Sequence, residues 1–116
     1  MIETINRDAL ILFPKQPLYD WVNYVSPDYK MKCPKPLAHD EGEVYLIPEF
    51  DHPDETIEFL KDYFIEIFEH QLFSWVTDER LWPEALTWEL FNSWFHYSIQ
   101  SMVLDTLDEE IEKDDF

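Results

Sequence analysis

The sequence predicts an α+β fold: one small two-layer domain with two or three short strands packed on two long C-terminal helices and one short helix. Three features lead there. Two short apolar runs, Ala9–Phe13 and Glu43–Pro48, are bounded by prolines, which suits strands better than helices. Two later stretches, from Asp51 to Trp75 and from Thr87 to Leu107, repeat apolar residues every three or four positions, the period of a helix. At 116 residues the chain is one domain, 1–116, long enough to bury a core without disulfides or a structural metal.

Taken in order, ALILF at 9–13 reads as a buried strand closed by Pro14. Pro17 then suits the first turn of a short helix, Leu18–Val25, with Leu18, Trp21, Val22 and Val25 on one face. Ser26-Pro27-Asp28 ends it. The stretch 29–40, YKMKCPKPLAHD, has three lysines, two prolines and no helical period, and reads as an extended surface loop. EVYLIP follows the only glycine, Gly42, as a second strand. If the two strands are neighbours joined through the first helix, they are parallel with a right-handed crossover. A two-stranded sheet is marginal. A third strand is therefore expected in the N-terminal residues, in the lysine loop or across a dimer.

The helix from Asp51 or His52 to Trp75 opens with Pro53 in its first turn and with Asp54 and Glu55 at the positive end of its dipole. Ile57, Leu60, Phe64, Ile67, Phe68, Leu72 and Trp75 form its apolar stripe, and Glu55, Glu58, Asp62, Glu66 and Glu69 run opposite. Thr77–Leu86 connects to the last helix, with Trp82 over the helix ends and Thr87 as N-cap. In a helix from Thr87 to Leu107, Trp88, Phe91, Phe95, Ile99 and Met102 fall on one face, and Leu90, Trp94, Tyr97 and Leu104 on another. Two apolar faces need two coverings, a core and either a sheet or a second subunit, so a homodimer is expected. From about residue 108 the acidic tail is expected to fray, since negative charge opposes the dipole at a helix C-terminus.

Composition narrows the function classes. The 26 Asp and Glu against 8 Lys and Arg leave a net charge of −18, which disfavours nucleic acid and anionic membranes as direct partners. Five Trp, six Tyr and nine Phe are too many for a disordered acidic chain. One cysteine excludes an intrachain disulfide and a Cys-rich zinc site. No apolar run approaches the ~18 residues of a membrane span, and MIETINRD lacks the pattern of a signal peptide, so the cytoplasm is the expected location. A single glycine leaves no phosphate-cradling loop, dinucleotide fingerprint or nucleophile elbow, and no cofactor is expected.

Some residues invite chemistry. Glu66, His70 and His96 could form a metal cluster between the two long helices, but the Glu-x-x-His spacing of carboxylate-bridged metal bundles is missing: Ile67 precedes His70 by three and Ser93 precedes His96 by three. Solvated or locally bonded histidines are the expected outcome. Cys33, between Lys32 and Pro34-Lys35, has cationic neighbours that favour the thiolate, with His39 the only histidine nearby to serve as base. An ordinary loop thiol is the plainer reading. Glu49 and Asp105 are the best placed carboxyls for acid–base work, and Asp105 could instead meet Arg80, Arg7 or a backbone donor. Trp21, Trp75, Trp82, Trp88 and Trp94 are expected to build the core and not a pocket.

Pro14-Lys15-Gln16-Pro17 before Asp20-Trp21, Tyr45-Leu46-Ile47-Pro48-Glu49, Phe68-Glu69-His70-Gln71-Leu72, Trp82-Pro83 and Phe91–Phe95 give the chain a resemblance, over nearly its whole length, to a group of small acidic bacterial proteins of unassigned function. The resemblance implies a bacterial, cytoplasmic single domain and carries no catalytic or binding residues. The expected function is a non-enzymatic protein-interaction module that docks a basic protein surface through Glu55, Glu58, Asp62, Glu66 and Glu69. The alternative is a small metal-dependent or ligand-binding enzyme using Glu66, His70 and His96.

Overall fold

In a computed structural model, which describes residues 1–28, 30–34 and 42–114, the chain is α+β with three helices and two small antiparallel sheets among those residues. The larger sheet has β2 (Asp8–Pro14) at its centre, between β3 (Glu43–Ile47) and β4 (Phe95–Gln100). The smaller joins β1 (Glu3–Thr4) to β5 (Leu104–Asp105), next to the bond from the Ile5 N–H to the Val103 carbonyl. The helices are α1 (Gln16–Val25), α2 (Pro53–Trp75) and α3 (Trp88–Trp94).

The parallel crossover expected for the first two strands is not formed. β2 and β3 are antiparallel, in the register Leu10↔Tyr45 and Leu12↔Glu43, and α1 lies between them in sequence without crossing the sheet as a βαβ unit would require. Part of the lysine loop lies outside the described residues, and the N-terminal residues do give a strand, Glu3–Thr4, but in the smaller sheet. The third strand of the larger sheet comes from elsewhere in the same chain. It is the second half of the stretch expected to be the closing helix.

That stretch is the main correction. Thr87 caps α3 as expected, its hydroxyl accepting from the Leu90 N–H at 3.1 Å, but the helix ends at Trp94 and the backbone turns extended at Phe95 (φ −134°, ψ 141°). Phe95–Gln100 then pairs along β2 from Pro14↔Phe95 to Ala9↔Gln100. The residues FHYSIQ alternate apolar and polar, so the inward side receives Phe95, Tyr97 and Ile99 while His96, Ser98 and Gln100 go outward. The local preference for helix gives way because the central strand needs a second edge partner. The long helix is thus central in the sequence, and the C-terminal part is a two-turn helix followed by strands.

Leu10 and Leu12 share the parity of Asp8, and all three are buried against the helices. Leu60, Phe64, Ile67, Phe68 and Leu72 of α2, Leu18 and Val22 of α1, and Phe91 and Trp94 of α3 complete one core with Ile47 and Phe95. The stripe read from the α2 sequence is the buried one, with Ile57 and Trp75 only half covered. Burying each large side chain contributes roughly 1.5–3 kcal/mol, which outweighs the ~0.2–0.5 kcal/mol cost of each like-charge pair, such as Glu58–Asp62, on the other side of the same helix. Trp94 is buried; Trp21, Trp75, Trp82 and Trp88 are half-buried around it. Trp21 meets Trp94 at 5.7 Å between ring centres and donates its indole N–H to the Leu81 carbonyl. The Trp82 indole N–H reaches the Val76 carbonyl at 2.7 Å, closing the connector over the end of α2.

Leu90 and Tyr97 are half-buried and Trp94 is buried within the one chain, so the reason given by the sequence for a second subunit is removed. The outer parity of the sheet is a different surface. Ala9, Ile11 and Phe13 lie beside Val44 and Leu46, and of these Val44, Leu46 and Phe13 are exposed.

Candidate functional site

Two groups of polar side chains stand out, both organised by α2. The first is its solvent face. Glu55, Glu58, Asp62, Glu66 and Glu69 are all exposed, as the helical spacing predicts, and Tyr63, Ile65 and Phe73 are exposed among them. Lys61 is the only lysine or arginine of the helix, and it is drawn to Glu58, its ammonium 3.8 Å from the carboxylate. The Tyr63 phenol is held above its ordinary pKa by its hydrogen bond to Glu66, then by burial and by the negative charge itself. The surface therefore combines carboxylates with apolar and aromatic groups, and its field is uniformly negative.

The second group joins α2 to β3. The Tyr45 hydroxyl lies 2.7 Å from His70 Nδ1, accepts from Gln71 Nε2 at 2.8 Å and stands 3.3 Å from Glu43 Oε2. One hydroxyl proton cannot serve two acceptors. Given to the nearer imidazole, it leaves Nδ1 as acceptor and the ring proton on Nε2. Glu43 also lies 3.7 Å from His70 Nδ1. Burial pushes the Tyr45 phenol well above its usual range; Glu43 adds to the shift and the Gln71 hydrogen bond opposes it. Such a phenol keeps its proton throughout the neutral range, and its bonds to His70 and Gln71 tie β3 to the helix.

Replacing Tyr45 by Phe should leave the buried Gln71 amide without its acceptor, a loss of about 1–3 kcal/mol in denaturant unfolding. The folded pKa of Tyr45 is raised, so its contribution to stability is complete below the unfolded value near ~10 and declines as pH rises through the folded value. The wild type should therefore lose stability above about pH 10 more steeply than Tyr45→Phe, and parallel pH profiles would refute the assignment.

The other residues singled out by sequence are dispersed. His70 is on α2 as expected, but His96 is on β4, paired with Phe13 on the sheet face opposite Leu12. Glu66 is exposed on the acidic face. Among the described residues no three His, Cys, Asp or Glu side chains gather to hold a metal, so Glu66, His70 and His96 are not brought together. Asp105 takes the backbone-donor option, accepting from the Leu107 N–H at 2.9 Å, while Arg80 pairs with Asp78 and Arg7 bonds the Asn6 carbonyl. Glu49 is exposed after β3. Cys33 Sγ lies 3.7 Å from the Pro14 carbonyl oxygen, and His39, its suggested base, is outside the described residues, as is all of the second half of the lysine loop.

Sequence reasoning missed Tyr45, Gln71 and Glu43 as a unit. Their signal was the inward parity of Glu43 and Tyr45 in a strand otherwise apolar, with Gln71 on the buried side of α2. No helix among the described residues is long and apolar enough to cross a membrane. No family model, curated protein or solved structure matches the chain.

Proposed function

We propose that the protein is a non-enzymatic interaction module that docks a basic protein surface through the outward face of α2. The observation that carries this reading is the composition of that face: five exposed carboxylates interleaved with exposed Tyr63, Ile65 and Phe73. Carboxylates steer a cationic partner into register, and the apolar groups supply area that charge alone does not. The test is capture of proteins from cell extract on the immobilised wild type and on a variant with Glu55, Glu58, Glu66 and Glu69 changed to Gln and Asp62 to Asn. Basic proteins held by the wild type at low salt, released at high salt and ignored by the variant support docking. Equal capture by both forms overturns it.

A second contact, between copies of the chain, is favoured by the outer side of the sheet. Val44 is 63% and Leu46 48% exposed on the edge strand β3, and no carboxylate points outward from Ala9–Phe13 or Glu43–Ile47 on that parity. Unblunted edges of this kind invite pairing. Association of two such acidic chains should strengthen as salt screens their repulsion, and Leu46→Lys should abolish it. Sedimentation that gives a monomer at every salt concentration, or a dimer untouched by Leu46→Lys, would reject this contact.

A further inference from the structure

Where the sheet meets the start of α2, a cavity of about 260 Å³ opens between Asp8, Phe50, Asp51, His52, Pro53, Thr56, Ile57, Ile99 and Ser101. Its rim is exposed: Asp51, His52, Pro53 and Ser101. Its floor is not. Asp8 is 3% and Thr56 3% exposed, no hydrogen bond or ion pair ties either side chain to a described residue, and neither is among the fully enclosed unpaired polar groups, so their oxygens open only onto the cavity. Walled by the fold on its other sides, the Asp8 carboxylate has as its partner whatever enters the cavity. The walls between rim and floor are the apolar Phe50, Ile57 and Ile99.

We infer that this cavity is a binding site for an alkyl guanidinium or ammonium group, with Asp8 as its counter-ion, Thr56 as a hydrogen-bond acceptor beside it and Phe50, Ile57 and Ile99 around the alkyl chain. The sign of the ligand follows from the floor. An anion would face Asp8 below and Asp51 at the rim in a chain already at −18. A bare divalent cation needs several oxygen ligands, and the described residues form no such group. The size follows from the volume, which is below the ~300–1,000 Å³ of sites for drug-sized ligands and suits one extended side chain or a small amine. The aromatic Phe50 adds a surface that a cation prefers to water.

The inference does not depend on docking by the acidic face of α2, since Asp8 and Thr56 are not part of that face and either site can fail alone. The cation has two sources, a free amine or the Lys or Arg side chain of a partner, and they differ in what else they bring.

The experiment titrates the full chain with n-butylguanidinium, n-butylammonium, butyrate, and a neutral-flanked peptide bearing one Arg, following the methyl resonances of Ile57 and Ile99. Both cations should shift these methyls saturably, butyrate should not, and Asp8→Asn should weaken the cations at least about tenfold while Glu89→Gln leaves them unchanged. Equal affinity for compound and peptide assigns the site to free amines, and tighter peptide binding assigns it to a partner's side chain. Absence of saturable shifts at Ile57 and Ile99 with either cation, or undiminished binding to a folded Asp8→Asn, overturns the inference; should Asp8→Asn not fold, Thr56→Val and the butyrate comparison on wild type decide in the same way.

Discussion

Phe68→Ala should remove about 3–5 kcal/mol of folding free energy, a large share of the roughly 5–15 kcal/mol that holds a domain together. Phe68 is fully buried, with ring centres 5.8 Å from Phe91, 5.7 Å from Trp94 and 5.5 Å from Phe95, so it touches both the end of α3 and the start of β4. Loss of the ring leaves a hollow that three other aromatic rings cannot close together. The melting temperature should fall by roughly 12–20 °C. Phe68→Leu, which keeps much of the volume, should cost well under half as much. A loss below about 1 kcal/mol for Phe68→Ala would mean that this cluster is not the packing centre described.

Neutralising Glu55, Glu58, Asp62, Glu66 and Glu69 should slow association with a captured basic partner by roughly 10–10³-fold at low salt, the range over which charge steering acts. The fold should survive. Gln is nearly as good a helix former as Glu, and removing i, i+4 repulsions such as Glu58–Asp62 and Asp62–Glu66 favours α2 slightly. Stopped-flow association measured from low to high salt is the check. The wild type should approach the variant as salt rises, and an association rate indifferent to both charge and salt would remove the acidic face from recognition. Contact between copies of the chain through β3 carries the opposite salt response, so the two contacts are separable in one series of conditions.

Local pattern made α2 legible almost to the residue: the expected Asp51 or His52 to Trp75 is Pro53–Trp75, because proline, two acids and a long apolar stripe all agree. The short helix and both early strands were equally plain. Residues 95–100 were not. Phe95 and Ile99 are four apart and fit a helical stripe, yet they also fit a strand with Tyr97 between them. Placing Tyr97 on a second apolar face was the sign that the helical period had failed there. Alternation in FHYSIQ carried the correct answer, and only the need of β2 for a partner decides between the two. The direction of β3 is not legible in the spacing either, because a connection that contains a helix and is long enough for a crossover also permits the antiparallel return that pairs Leu10 with Tyr45.

The polar clusters were harder still. Asp8 lies one residue before Ala9–Phe13, within the slightly earlier start that the run allows, and including it places a carboxylate on the same inward side as Leu10 and Leu12. Its enclosure depends on α2 beginning where it does. The pairing of Tyr45 with His70 and Gln71 likewise needs the register of β3 against a helix, which spacing within either element does not report.

The central strand has one further consequence. The neighbour on the second side of β2, β4, follows it only after α1, β3, α2 and α3. On the ribosome β2 and β3 can meet first, yet the sheet stays one strand short until α2 and α3 have also emerged. Closing so wide a loop is entropically slow. Until then one edge of β2 has its backbone groups unpaired, so the nascent chain is the stage at which a chaperone would matter most.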